Sequence, residues 1–398
     1  MTIAELFSTE PAENLLAALS LMPERVIYLG SRSVMTDGRI AATRAFFKGR
    51  KHPAKLLFLR VEDRDYAGAG NAIRDILEKY PDCAFEMTGG SDLLLAALGS
   101  AAARRQLQLF ELEVRSQALH ALRGDLPARK EGLIRPMKGI RAGEYVQLCG
   151  GELAESSYTL SGRLPPELET DVADLWKVYI QDPEGWTKQT TILASLAARS
   201  RIGGKTVSAE VQEAPEDAFL RHLEEEKLIS HVKRAGRTLT LTFRDEHVKR
   251  TLTRAGDLLE LWVFLAARDE PAYFTDAVMG AKIRWHGDER RSTMNEIDGL
   301  LMYGAVPVYV SCKIGTVPKE ALYEVDSVAA RFGGAYAAKA LVCCRLSGSP
   351  SARQALRQRA RDMNILLIED VDKLQRSQLA ALLRREASEG PSVSLRSI

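Results

Sequence analysis

"RSTMNEIDGLLMYGAVPVYVSCKIG" (residues 291–315) decides the reading of the chain. It reads as two strands around a turn, and on a strand residues two apart share a face. Glu296 and Asp298 therefore project together from the first run, and Ser311 and Lys313 from the second. Acids and an ammonium on one face of a hairpin make either a cross-strand ion pair or a site for a hard cation. Mg²⁺ binds through one or two carboxylates completed by water and phosphate oxygens. A lysine beside it could orient or deprotonate an attacking water, or steady charge that builds on phosphorus.

Upstream, Glu260 lies inside "GDLLELWV" (256–263). An acid in so apolar a segment is costly without a partner, and a metal is one partner that suffices; a solvated glutamate on a helix surface is the plainer alternative. The pattern continues as helix, three strands, helix ("KEALYEVDSVAARFG"), strand ("AKALVCC"), helix ("PSARQALRQRARDM"), strand ("NILLIED") and helix. That predicts an α/β domain over residues 251–398.

The rest of the 398 residues sets the frame. A chain of this length divides into two or three domains. Hydrophobic residues at 45% and charged residues at 27% are those of an ordinary globular protein. With 55 basic against 53 acidic residues, any attraction for a polyanion has to be local. The basic runs "GDERRS" (287–292) and "LRQRARD" (356–362) read as solvated faces. The five cysteines include no CxxC pair and the six histidines are scattered, which argues against a disulfide framework or structural zinc. The chain opens without a basic segment before an apolar one, and no apolar run reaches about 18 residues; the expectation is a cytoplasmic protein with no membrane span.

The first half alternates strands and helices: "RVIYLG" (25–30), "AKLLFLRV" (54–61), the helix "GNAIRDILEKYP" (70–81), then "CAFEMTGGSDLLLAAL" (83–98). This is the signature of a parallel sheet covered by helices, a Rossmann-like domain over residues 1–160. "LQLFELEV" (107–114) and "YVQLCG" (145–150) are expected as further strands. Thr88-Gly89-Gly90-Ser91 falls between a strand and a helix, where glycines admit a close ligand and free amides attract phosphate or ribose groups. From spacing alone, a helix cap is the better reading of that turn. "SGRLPPELETD" (161–171) breaks the pattern as a linker. Residues 217–252 then give a helix, a hairpin turned at Ala235-Gly236 and a helix, a winged-helix outline within a 161–250 connector.

Taken together, these stretches resemble known families. The order helix with Glu, strand with Asp, strand with x-x-Lys, helix is similar to the core of the PD-(D/E)xK nucleases, a restriction-endonuclease-like fold. That family places an acid where this chain has Ser311. "RVIYLGSRS" and "FEMTGGSDLLLAAL" resemble the CARF domain, the CRISPR-associated Rossmann-like fold. "MNEIDGLLMYGAVPVYVSCKIG" followed by "ALYEVDSVAARFGGAYAAKALV" looks close to the ancillary nucleases of type III CRISPR systems. The resemblance implies a homodimer activated by cyclic tetra-adenylate, with Gly30, Ser31, Arg32, Thr88, Gly89, Gly90 and Ser91 facing the ring. It implies Mn²⁺ or Mg²⁺ at Asp298 with Glu260, Glu296 and the Cys312 backbone carbonyl, Lys313 as the catalytic amine, and cleavage of DNA or RNA in single-stranded regions. A rival reading keeps the CARF sensor, makes the winged helix a DNA reader and leaves an inactive nuclease-like domain. "DAFLRHLEEEKL" (217–228) carries more acids than bases, which argues against entry into a groove.

Overall fold

The computed structural model describes residues 1–125, 139–162, 164–254, 256–285, 294–330 and 335–390, and the backbone of 132–133. "GDERRS" and the start of the 291–315 stretch lie outside the described residues. The N-terminal pattern folds as β1 (Thr2–Leu6), α1 (Leu16–Leu21), β2 (Arg25–Ser31), α2 (Asp37–Gly49), β3 (Lys55–Val61), α3 (Tyr66–Lys79), β4 (Ala84–Glu86), α4 (Asp92–Arg104), β5 (Gln108–Glu113), β6 (Ala118–Arg123) and β7 (Gly132–Leu133). The sheet runs β3-β2-β1-β4-β5-β6-β7, parallel through β5 and antiparallel beyond. Strands after β1 are laid down first on one side of it and then, from β4, on the other. The ends of β1 and β4 therefore form the switch point where open α/β sheets take ligands.

Two expectations change. The central strand is β1, buried at all five positions, although the sequence pattern starts the sheet at Arg25; Thr2 and Glu5 interrupt the apolar run that a central parallel strand ordinarily shows. "YVQLCG" is not a strand. Ala142, Tyr145 and Val146 are buried together on α5 (Ala142–Leu148), the three-and-four spacing of a helix.

The chain then sends β8 (Gly151–Glu155) and β9 (Tyr158–Thr159) into the second large sheet, across the boundary drawn at residue 160. The connector holds α6 (Leu168–Tyr179), α7 (Trp186–Arg199), β10 (Thr206–Glu210), α8 (Asp217–Glu225), β11 (Ile229–Ala235), β12 (Thr238–Phe243) and α9 (Glu246–Leu252), with sheet order β10-β12-β11. Helices followed by a hairpin at Gly236 give the winged-helix outline, and α6 begins inside the stretch read as linker.

The C-terminal elements follow the expected order: α10 (Asp257–Arg268), β13 (Phe274–Trp285), β14 (Asn295–Tyr303), β15 (Val306–Val317), α11 (Glu320–Ala329), β16 (Ala338–Leu346), α12 (Pro350–Asp362), β17 (Leu366–Ile368) and α13 (Arg376–Glu389). Their sheet runs β17-β16-β15-β14-β13-β8. Leu258, Leu259, Leu261, Val263, Phe264 and Leu265 bury α10, each such side chain contributing about 1.5–3 kcal/mol. The Trp262 ring of α10 stacks on Trp176 of α6 at 4.2 Å, which ties the connector to this sheet. Gln117 Nε2 donates to the Tyr303 carbonyl at 3.3 Å, and the Tyr336 hydroxyl donates to Glu13 Oε1 at 2.7 Å. These bonds join the first sheet to the third. No described helix is long and apolar enough to cross a membrane.

Candidate active site

The β14–β15 ladder pairs Tyr303 with Val306 and ends at Gly299–Val310. Beyond that pair the strands part. Ile297, Glu296 and Asn295 pair with β13, while Ser311 and the residues after it pair with β16. Asp298 is the first residue past the split, so its carboxylate stands in a fork of the sheet. Across from it on β13, between the pairs Met279–Gly299 and Ala281–Ile297, is Gly280 with φ of 54°. A Cβ there would meet Ser157 Oγ at 2.5 Å and approach Glu260 Oε2 at 3.7 Å. The missing side chain gives the fork its floor space.

The β15 arm of the fork holds Asp298 of the β14 arm. Ser311 Oγ donates to Asp298 Oδ2 at 3.0 Å and the Cys312 N–H donates to the same oxygen at 2.8 Å. Lys313 Nζ lies 3.8 Å from it, half-exposed. Ser311 is thus a donor that orients the aspartate. The Cys312 side chain is buried, and burial together with the Asp298 charge pushes its thiol far up. Cys312 meets the site through its backbone.

Glu260, in the first turn of α10, senses the same fork. Burial, then the charges of Asp298, Asp257 and Glu296, push its carboxyl up to about 8, against the pull of Arg250. Arg250 of α9 is itself engaged, donating from Nε to Asp257 Oδ2 at 3.1 Å and bonding Ser157 Oγ. Glu296 is exposed beside Lys282 in the register. Among the described residues, no three of His, Cys, Asp and Glu converge closely enough to cage a metal ion. What the fork offers is one carboxylate fixed in place, with Glu260 and Glu296 close enough to act on one another's charge. Such a site fits a hard cation held by one or two carboxylates and completed by solvent and phosphate.

The residues expected to face a ring lie at the far sheet's C-terminal edge, on either side of β1. Gly30 and Ser31 end β2 and Arg32 follows, its Nε 2.6 Å from Glu62. Gly30 is buried with Phe7 against it. Thr88–Ser91 close over β1: a Cβ on Gly89 would lie 2.5 Å from the Leu6 carbonyl oxygen, and Gly90 adopts φ of 90° against Leu6. Ser91 caps α4 by accepting from the Leu94 N–H at 3.4 Å. The turn is therefore a cap and a close approach at once. Sequence reasoning missed the segment after β1, where Ser8, Thr9, Asn14 and Arg39 line a small cavity beside these loops; finding it required recognising β1.

Three comparisons with known proteins bear on the chain as a whole. Residues 245–382 match the family model described as Card1-like, endonuclease domain, a range that contains the whole fork. Protein VC1899 from Vibrio cholerae is 17% identical, with a TM-score of 0.75 over 97% of this chain and 98% of that one. Can2 from Sulfobacillus thermosulfidooxidans, solved in complex with cyclic tetra-adenylate (cA4), is 19% identical, with a TM-score of 0.68 over 96% of this chain and 98% of that one. A search of curated proteins finds no match. Over residues 245–382 the chain is thus similar to the Card1-like endonuclease domain, and over nearly its full length its α/β fold is similar to those of VC1899 and Can2.

Proposed function

We propose that the protein is an endonuclease of type III CRISPR defence, switched on by cyclic tetra-adenylate bound between the N-terminal domains of a homodimer. The observation that carries this is Asp298, fixed by Ser311 Oγ and the Cys312 N–H in the mouth of a split sheet with Lys313 beside it, inside the stretch that matches an endonuclease family model. The fold similarity to Can2, a protein solved with cA4, supports the sensor half of the reading.

Two hydrogen-bond donors and the Lys313 ammonium gather on Oδ2, which leaves Oδ1 as the Asp298 oxygen to offer a cation. Mg²⁺ or Mn²⁺ would be held by Asp298 with Glu260, Glu296 and the Cys312 carbonyl assisting. Once bound, it would polarise the scissile phosphate and acidify water. Lys313 positions that water or takes its proton, and its ammonium balances charge on the phosphate as the bond breaks. Ser311 keeps Asp298 from rotating away. In the sensor, the Gly30–Arg32 and Thr88–Ser91 loops, with the segment after β1, take the ring at the switch point. Coupling needs only that the ring prefer one of two arrangements of the sheets.

The test is cleavage of single-stranded DNA, single-stranded RNA and plasmid with Mn²⁺, with and without cyclic tetra-adenylate, beside Lys313→Ala. Ring-dependent cutting that Lys313→Ala loses is the expected result. Tight ring binding with no cutting under any metal would reject the nuclease and leave a sensor that reports elsewhere.

A further inference from the structure

The strands β15, β16 and β17 step across the sheet in one direction, so right-handed crossovers place α11 and α12 on the same face. Their side chains meet: the Arg359 guanidinium lies 5.8 Å from the centre of the Tyr323 ring. This is also the face of the fork. Tyr309, Ser311 and Lys313 alternate to one side of β15, α11 packs on β15 and β16, and the Glu324 charge of α11 reaches Tyr309.

On this face Tyr323 is 50% exposed, one of few large apolar side chains so open to solvent among the described residues. The helix beside it has four arginines against one aspartate. Arg357 is committed to Glu369, at 2.7 and 2.9 Å. Arg353, Arg359 and Arg361 are exposed. The acids nearby are Glu320, Glu324 and Asp326 on α11 and Asp362 at the end of α12; Lys339 holds Asp326 at 2.8 Å. The run "LRQRARD", which reads in isolation as a solvated face, thus stands next to an open aromatic ring on the side of the sheet that carries Lys313.

We infer that the α11–α12 surface is the bed for an unpaired nucleic-acid strand, with a base stacked on Tyr323 and phosphates on Arg353 and Arg359. This rests on the nuclease reading and gives its unpaired substrate a binding surface outside the fork. Every base has a π-face, so an exposed ring bordered by arginine binds strands without regard to sequence. A duplex keeps its bases stacked on one another and offers that ring nothing, which selects unpaired segments. The strand then runs from the arginines of α12 over α11 toward the fork.

The experiment is fluorescence anisotropy of labelled single strands of about 12 nucleotides, within the usual site size of such surfaces. DNA, RNA and duplex forms are titrated in EDTA with cyclic tetra-adenylate present. Wild type is expected to bind single strands more tightly than duplex. Tyr323→Ala weakens that binding about tenfold, whereas Tyr323→Phe, which keeps the ring, does not. Arg359→Gln lowers the slope of log affinity against log salt by about 0.7, one phosphate contact on a single strand. The tighter of the DNA and RNA arms identifies the natural strand. If Tyr323→Ala and Arg359→Gln bind like wild type while wild type still cuts, the bed is elsewhere and the nuclease reading stands. A wild type that neither binds nor cuts overturns both.

Discussion

A group of raised carboxyls in each large sheet invites comparison, because the two differ in what surrounds them. Glu5 and Glu86 are register partners on β1 and β4, both fully buried. Among the described residues, neither oxygen of Glu5, nor Oε2 of Glu86, has a hydrogen-bond partner. Burial, then the Glu86 charge, raises Glu5 well above its ordinary value, and burial takes Glu86 up to about 7. At the fork, Glu260 is raised comparably, but Asp298 is partly open to solvent and held by donors from both neighbouring residues of β15, with Lys313 alongside. A raised carboxyl therefore records burial in both places. Glu86 also accepts from the Thr88 N–H at 2.7 Å, but of these two groups the fork alone adds a cation and an open side, and those are what chemistry needs.

The strongest way to break this contrast is to remove one acid from each group and measure cutting. Asp298→Ala is expected to lower ring-dependent cleavage on the order of 10³-fold, the scale of losing a group that organises transition-state charge. Glu86→Gln is expected to leave cleavage as it was. A nuclease that tolerates Asp298→Ala, or that dies with Glu86→Gln, would reverse the assignment of the two sites.

The same contrast explains what could be read from the sequence. Asp298, Ser311 and Lys313 were legible because strand alternation is a local property: residues two apart share a face whatever the tertiary fold does. The C-terminal order of elements was legible for a related reason, since β-branched runs and three-and-four spacing are written in short windows. The fork was not. Where the β14–β15 ladder stops depends on β13 and β16 drawing the two strands apart, a competition among segments distant in sequence. β1 was hidden because Thr2 and Glu5 are polar residues in a buried strand: Arg25 of β2 donates to Thr2 Oγ1 at 3.0 Å, and burial favours the neutral form of the Glu5 carboxyl. "YVQLCG" mixes strand-forming types with helical spacing, and packing of Ala142, Tyr145 and Val146 decided it. The exposure of Tyr323 is likewise a tertiary fact.

The sensor pair makes a second, smaller prediction, in pH. A carboxyl whose folded value is raised keeps its proton in the folded state after the unfolded chain has lost it. Its contribution to stability is intact below the unfolded value of 4.5 and is lost as pH rises toward about 7. For Glu86 the loss amounts to about 3 kcal/mol at most, because each tenfold change in acidity is worth about 1.4 kcal/mol. Urea unfolding at intervals from pH 4.5 to 8 should show wild-type stability falling through this window and a shallower fall for Glu86→Gln. An identical slope in the two proteins would mean that Glu86 is not buried as a neutral acid.

The finest discrimination concerns Ser311. If its hydroxyl acts as a donor to Asp298, Ser311→Ala removes one of two hydrogen bonds on Oδ2 and leaves the Cys312 N–H in place. A hydrogen bond to a charged group is worth about 1.5–3 kcal/mol, and one surviving donor moderates the loss; turnover should fall about tenfold, with strand binding unchanged. Ser311→Glu tests the opposite idea, that the serine merely fills the place of a missing metal-binding acid. Ser311 is 4% exposed, so a carboxylate there would face Asp298 across a dry gap, and like charges disfavour ionisation of both. Cleavage is expected to fall further for Ser311→Glu than for Ser311→Ala, with an alkaline shift of its pH profile. A gain in cleavage from Ser311→Glu would show the reverse: that the fork lacks an acid and that the serine's bond to Asp298 is a consequence of the gap.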